Sequence, residues 1–169
     1  MADRLVKFLS HVDMVKITCV ESTQLVEEAR KIHGLNPTPT AALGRTLTMA
    51  TMMGATLKED DGKITIQILG NGPLGKIIVS VNNKCEVKGC VDHPLAEAPL
   101  NKLGKLNVSS IVGSGQLNVI KDIGLKEPYV GNVPLQTGEI AEDFTYYFAI
   151  SEQIPTAVAL GVLVNQDGS

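Results

Sequence analysis

The stretch between residues 63 and 135 limits the possible folds most, because short β-forming runs alternate there with turn residues. From Lys63 to Leu69, three isoleucines alternate with polar side chains, which is the period of a half-buried strand. Further runs of this kind are Lys76–Val81, Lys84–Val91, Gln116–Lys121 and Tyr129–Leu135. Asn82-Asn83 tolerates the positive φ angles of a tight hairpin. These runs predict a mainly antiparallel sheet.

Helices are predicted on both sides of this stretch. Ser22 or Thr23 can cap a helix that runs to about His33, where Gly34 would end it. Thr38-Pro39 begins a second helix, with a hydroxyl before a proline. Thr137 caps a third helix, whose buried side chains are Ile140, Phe144, Tyr147 and Phe148.

Two outer runs complete the pattern. Val15–Val20 and Thr156–Val164 are rich in β-branched and apolar residues, and both are predicted to be strands. No internal repeat, linker or low-complexity tract divides the chain. The sequence therefore predicts one α+β domain that spans residues 1–169.

Composition excludes several classes of partner. The formal charge of −3 offers no basic field for nucleic acid or for an anionic membrane surface. Between Pro39 and Leu57 the one charged residue is Arg45, but five threonines and two glycines make this stretch too polar for a membrane span. A helix buried nearly all round is predicted instead.

The location of the protein is predicted from its start and its cysteines. The first residues show no apolar secretory segment. Three cysteines are an odd number at irregular spacing, and a chain of this length does not need disulfide bonds to be stable. Both features predict a cytoplasmic protein without disulfide bonds.

The run Gly70–Gly75 matches the G-x-G-x-x-G pattern of dinucleotide-binding loops. Such a loop must lead into a helix whose first N–H groups face the pyrophosphate. Here the β-branched run Ile77-Ile78-Val79 follows, which predicts a second strand. The loop is therefore interpreted as a hairpin connection. No G-x-x-x-x-G-K-[ST] motif occurs either, so no nucleotide is expected.

The cysteines and histidines show no arrangement for metal binding or catalysis. Cys19, Cys85 and Cys90 lack C-x-x-C spacing, and Cys85 and Cys90 would point to opposite faces of an extended segment. Cys90 and His93 could form a nucleophile and base, but no orienting partner is visible. The three cysteines are interpreted as buried small side chains. No catalytic, cofactor-binding or metal-binding residue is assigned, and the chain is predicted not to be an enzyme.

The final residues suggest an interrupted hairpin. Asn165-Gln166-Asp167-Gly168 follows the run Thr156–Val164, and Asp-Gly supplies the positive φ angles of a tight turn. The expectation is that the chain is a fragment of a longer protein and that the returning strand is missing. An unpaired strand edge is a template for pairing with another chain. A homo-oligomer, a dimer above all, is therefore expected.

Several blocks of residues, in one order along nearly the whole chain, resemble the core of the heat-shock protein 33 family. The blocks are Ala42–Arg45, Ala55–Lys58, Ile64–Pro73, Val112–Gly115, Leu117–Asp122 and Gly131–Thr156. The most specific of them carries Gly138-Glu139-Ile140-Ala141-Glu142-Asp143-Phe144 and ends in Ser151-Glu152-Gln153-Ile154-Pro155-Thr156.

The resemblance implies two packed β-sheets with flanking helices, and an ATP-independent holdase chaperone. Proteins of this family bind unfolding clients during oxidative and heat stress, prevent their aggregation and dimerise when active. The resemblance further implies a linker and a C-terminal redox-switch domain, in which four cysteines bind zinc. Neither the linker nor these cysteines occur in this chain, so no zinc ligand is expected in it.

Two other classes remain open from the residues alone. One is an enzyme that uses the Gly70 loop or Cys90. The other is a structural dimerisation domain, with client binding confined to the C-terminal half that the family carries in addition.

Overall fold

The computed structural model describes residues 2–12 and 14–164. Its elements, in chain order, are β1 (Arg4–Leu9), β2 (Lys16–Glu21), α1 (Thr23–His33), α2 (Pro37–Gly54), β3 (Lys63–Gly70), β4 (Lys76–Asn82), β5 (Val87–Val91), α3 (Val108–Val112), β6 (Gly115–Asp122), β7 (Tyr129–Pro134) and α4 (Ala141–Tyr147). A single π-helical turn, Phe148–Glu152, continues α4.

Five strands form the larger sheet, in the order β5-β4-β3-β6-β7 with every pair antiparallel. The alternating isoleucines place β3 at its centre, where Ile66 lies opposite Val79 on one side and Val119 on the other. All three side chains are fully buried. The remaining strands, β1 and β2, pair antiparallel with each other in a separate two-stranded sheet. The predicted α+β fold with two antiparallel sheets and flanking helices in one domain is confirmed.

Helix α2 lies against both sheets, with α1 and α3 beside it. Its buried threonines satisfy their own hydroxyl groups, because Thr46 and Thr48 donate to the carbonyls of Ala42 and Gly44 at 2.9 and 2.8 Å. Its charged side chain, Arg45, pairs with Glu139 at 2.7 Å. These contacts explain how a polar helix is buried along nearly its whole length. No helix among residues 2–12 and 14–164 has the length and hydrophobicity that a membrane span needs.

Ser22 occupies the N-cap position of α1, as predicted, but its hydroxyl accepts no hydrogen bond from the first turn. The carboxylate of Asp3 accepts instead from the N–H groups of Gln24 and Leu25, at 2.8 Å each. This cap comes from a residue far away in sequence, which local patterns do not reveal. At the other end, Gly34 adopts the expected left-handed conformation with φ of 61°.

Helix α2 begins at Pro37, one residue before the predicted Thr38-Pro39 start. Helix α4 begins at Ala141 and not at Thr137, because the Asp143 carboxylate accepts from the backbone N–H of Ile140 at 2.9 Å and of Thr137 at 3.0 Å. The predicted apolar face is present: Ile140, Phe144 and Tyr147 are buried, and Phe148 is half-buried.

Thr156–Val164 is extended but is not a β-strand, contrary to the prediction. Its side chains alternate as predicted, with Val158, Leu160, Val162 and Val164 half-buried and the intervening residues exposed. However, no backbone group of residues 157–164 hydrogen-bonds to any described residue. A strand needs a ladder partner, and alternation of side chains does not provide one. The turn predicted at Asn165–Gly168 lies outside the described residues.

Candidate functional site

The Gly70–Gly75 loop joins β3 to β4, which are antiparallel, and no helix begins there. Its N–H groups are already used: Asn71, Gly72 and Leu74 each donate to a carbonyl of residues 111–114 at 2.9 Å. A phosphate would need these same donors. The prediction of a hairpin connection is confirmed.

The cysteines lie on different elements and at different depths. Cys19 on β2 and Cys90 on β5 are exposed, whereas Cys85 is half-buried in the β4–β5 turn at φ of 59°. The interpretation of all three as buried side chains is therefore wrong, because an outward position on an edge strand exposes even an apolar residue. All three thiols are free, and the described residues contain no cluster of three or more metal-ligating side chains. These cysteines do not fit the zinc that the family implies.

An exposed apolar surface covers the outward face of the β1–β2 ribbon. Val6, Phe8, Val15 and Ile17 lie on it, and between 44% and 56% of each residue is exposed. The opposite face turns toward the body of the protein, because the ammonium group of Lys7 donates to the Ala55 carbonyl at the end of α2. Beyond the ribbon, Val12 and Met14 at its tip are exposed by more than 80%. Neighbouring apolar side chains that are exposed together are typical of interaction surfaces.

A second feature is a cleft of about 520 Å³ beside the extended segment, here called the edge cleft. One side is Ala159–Val164, and another is the junction of β2 with α1, Val20–Thr23. The rest of the lining comes from helices α1 and α2, with Val26, Glu27, Arg30, Thr40, Thr48 and Met52.

The charged groups at the edge cleft are neutralised by one another. Glu27 pairs with Arg30 at 2.7 Å and with Lys31 at 3.1 Å, and Glu21 pairs with Arg4 at 3.2 Å. Hydrogen bonds from Arg30 and Lys31 lower the pKa of Glu27 to about 2. The carboxylate therefore stays ionised and paired at neutral pH, and the cleft presents no unbalanced acid to a ligand.

A buried polar network holds the π turn from which the extended segment leaves. Glu152 accepts hydrogen bonds from Lys121 on β6, at 2.6 Å, and from the fully buried Tyr147. Burial raises the pKa of Glu152, but the hydrogen bonds from Lys121 and Tyr147 outweigh it and hold that pKa below its usual value. Burial and the Glu152 carboxylate raise the pKa of Tyr147, so its hydroxyl remains protonated.

The ribbon face and the edge cleft are suited to binding another molecule, and the described residues show no arrangement for catalysis. The titratable groups of the network satisfy each other, and neither the edge cleft nor the ribbon holds a nucleophile beside a base among the described residues. What these two surfaces offer is exposed apolar area and, at residues 157–164, a backbone without hydrogen bonds to the described residues. Neither surface can be located from the sequence, because an exposed apolar strand and a buried one have the same composition.

Comparison with known proteins points to chaperones. The family model described as Hsp33 protein matches residues 3–169. The chain is 54% identical over 98% of its length to the 33 kDa chaperonin of Acetivibrio thermocellus, and 53% identical over its whole length to that of Clostridium perfringens. It spans a little more than half of these relatives, 56% and 54% respectively.

A solved structure agrees with these similarities. The crystal structure of the 33 kDa chaperonin of Thermotoga maritima, a heat shock protein 33 homolog, superposes with a TM-score of 0.91 at 42% identity. The comparison covers 96% of this chain and 56% of that one. The fold and the relatives place the chain in a family whose members are named as chaperones and not as enzymes. The chain belongs to the Hsp33 family.

Proposed function

We propose that residues 1–169 form the core domain of an ATP-independent holdase, which binds unfolding proteins and prevents their aggregation under oxidative and heat stress. Membership of the Hsp33 family supports the chaperone activity. The observation that carries the proposal is the exposed apolar face of the β1–β2 ribbon, because a holdase must offer apolar surface to its clients. The proposal includes a cytoplasmic location and a homodimer as the active state.

The redox switch is assigned to the part of the longer family members that this chain does not span. Zinc bound by four cysteines would lie there, and oxidation would release it. No zinc site is assigned to this chain, since Cys19, Cys85 and Cys90 do not form a ligand cluster among the described residues. We expect less than stoichiometric zinc in the purified chain, as measured by elemental analysis.

The test is suppression of aggregation of a thermally unfolded client by this chain alone, followed by light scattering without ATP. Suppression should be equal under reducing and oxidising conditions, because the switch is not part of this chain. Failure under both conditions would refute a client site in residues 1–169.

The second candidate is a dimerisation domain, with client binding in the remaining part of the longer proteins. The extended segment 157–164 favours it, because its backbone has no hydrogen bond to the described residues and open edges associate. A dimer in sedimentation experiments, together with no suppression of aggregation, would support this candidate over the first.

A further inference from the structure

The larger sheet has one face toward the helices and one face that points outward. Because successive side chains of a strand alternate between the two faces, the antiparallel register places the outward residues in rows across the sheet. The central row is Cys90, Ile78, Gln67, Asn118 and Asn132. The two flanking rows contain Thr65 and Leu69 of β3 with their cross-strand partners. These three rows are here called the open sheet face.

The open sheet face carries little charge and several aliphatic side chains. Its charged residues are Lys88 and Lys76, and both lie toward one side of the sheet, on β5 and β4. Ile78 and Val130 contribute apolar surface, with 37% and 57% of each residue exposed. A solvated protein surface is typically about a quarter to a third charged, whereas the centre of an interface is depleted of charge. The composition of this face therefore indicates contact with another protein.

A line of carboxamide groups crosses the open sheet face. Asn118 donates to Gln67 at 3.4 Å. Asn132 donates to Gln116 at 2.8 Å and also to Asn118. Each carboxamide has two N–H donors and an oxygen with two lone pairs, so these bonds leave part of its hydrogen-bonding capacity for another molecule. Because one group offers both donors and an acceptor, the line of amides can bond to a copy of itself across a two-fold axis.

The size of the open sheet face suits a weak contact between two copies. Five strands about 4.8 Å apart, over about five residues of each strand, cover roughly 400 Å² as a flat surface. Side chains that project from this surface make the accessible area larger. Stable interfaces bury about 800 Å² per partner, and weak or transient ones bury less. A dimer that forms through this face alone should therefore assemble in the micromolar range of concentration.

We propose that the open sheet face is the interface between two copies of this chain, which pack sheet on sheet about a two-fold axis. The inference rests on the homodimer in the proposed function and names its interface. Helix α2 packs against the other face of the larger sheet and against β2, so the ribbon face stays accessible to clients in such a dimer. Each dimer therefore presents two ribbon faces.

The first experiment measures dimerisation by sedimentation over a range of concentrations in two variants. Val130→Lys adds a charge to the open sheet face, and each copy of the dimer brings one such charge. Leu103→Lys is the matched control, because Leu103 is 79% exposed in the loop between β5 and α3. Val130→Lys should weaken the dimer at least about tenfold and Leu103→Lys less than about threefold. Both sites are exposed, so thermal unfolding should confirm that both variants keep the fold.

The native cysteines provide a second measurement on the unaltered chain. Cys90 lies in the central row of the open sheet face, whereas Cys19 lies on the ribbon, and both are exposed. Alkylation of Cys90 should slow at least about threefold between a concentration at which the chain is monomeric and one at which it is dimeric, with Cys19 unchanged. Protection of Cys19 in place of Cys90 would put the interface on the ribbon and overturn the proposal.

The remaining outcomes separate this interface from the proposed function. A chain that stays monomeric throughout the micromolar range would refute the interface. A dimer that survives Val130→Lys and leaves Cys90 reactive would refute the interface and leave the proposed homodimer standing. Protection of Cys90 that needs an unfolded client, and does not follow from concentration alone, would assign the face to clients and overturn the dimer contact. Failure to suppress client aggregation while Cys90 is protected in a dimer would refute the holdase function alone.

Discussion

Strand β3 and the segment Thr156–Val164 are both predicted to be strands from the sequence, but their surroundings differ. Both alternate in side-chain burial, and both are rich in β-branched or aliphatic residues. β3 has a ladder on each edge and its inward isoleucines are fully buried. The segment has no ladder with any of the described residues, and its inward side chains are half-buried. β-Forming character therefore predicts which way side chains point, but not whether a neighbouring strand is present.

Of the substitutions considered in β3 and in the extended segment, one at Ile66 should lower the free energy of unfolding most. Ile66→Ala should lower the free energy of unfolding by about 2–5 kcal/mol, because β3 is held on both sides and cannot collapse onto the cavity. Val162→Ala in the segment should lower it by only about 1 kcal/mol, since that side chain is half-buried. Urea unfolding measures both. Losses of equal size would mean that the segment is as firmly packed as β3.

The next largest effect on the free energy of unfolding is expected in the network of Lys121, Tyr147 and Glu152, which holds the π turn before the extended segment. Glu152→Gln should lower the free energy of unfolding by about 1–3 kcal/mol, because Lys121 loses its anionic partner in a largely buried site. Tyr147→Phe is the control, since it removes one hydroxyl and leaves the Lys121–Glu152 pair in place. A greater loss in the control would show that the hydroxyl, and not the ion pair, holds the π turn.

The carboxylate of Glu152 also makes the free energy of unfolding depend on pH. The pKa of Glu152 is lower in the folded chain than in the unfolded one, so its contribution is complete above the unfolded pKa, about 4.5. That contribution is lost as the pH falls through the lower, folded pKa. Acid unfolding should be less steep in Glu152→Gln. Parallel acid transitions in the two proteins would show that Glu152 titrates as it does in the unfolded chain.

A smaller effect tests how the ribbon is attached. Asp3→Ala should cost about 1 kcal/mol, because α1 loses the carboxylate that accepts from Gln24 and Leu25. Faster hydrogen exchange should be confined to the first turn of α1, with β3 unchanged. Asp3→Asn keeps one of the two acceptor oxygens and should restore only part of the protection.

The smallest effect is expected at Leu163, which is 98% exposed. Leu163→Lys should change the free energy of unfolding by less than about 0.5 kcal/mol, because no packing is lost. It adds a charge to an edge that has none, so self-association at high concentration should decrease. A change in stability as large as that of Val162→Ala would indicate a contact for Leu163 beyond the described residues.

Sequence patterns predicted β3, β4, β6 and β7 to within a residue or two, because alternation and turn residues act locally. They missed β1, whose run Arg4–Leu9 mixes charged and apolar residues without a clean period. They also failed to identify the carboxylates that cap α1 and α4. The first cap comes from Asp3, about twenty residues away, and the second from a carboxylate that folds back on its own loop.

The candidate surfaces were harder to predict than the fold. Family resemblance indicated the class of protein, yet the exposed ribbon and the edge cleft depend on which strands lack neighbours. Burial of the cysteines was predicted from the usual behaviour of that residue, and the positions of Cys19 and Cys90 on outward faces override it. Whether a side chain is exposed depends on the assembled sheet, so it cannot be predicted from a single segment of sequence.

The close packing of the Gly70–Gly75 loop against residues 111–115 has a consequence for mutational scanning. A side chain at Gly70 would place its Cβ 2.0 Å from the Val112 carbonyl oxygen, and one at Gly72 would lie 2.3 Å from that of Ile111. Such contacts exclude even alanine without movement of the backbone. A map of tolerated substitutions would therefore show an intolerant block with the spacing of a nucleotide-binding motif. The selective pressure behind that block would be steric fit between two loops, and a search for a bound cofactor there would be misdirected.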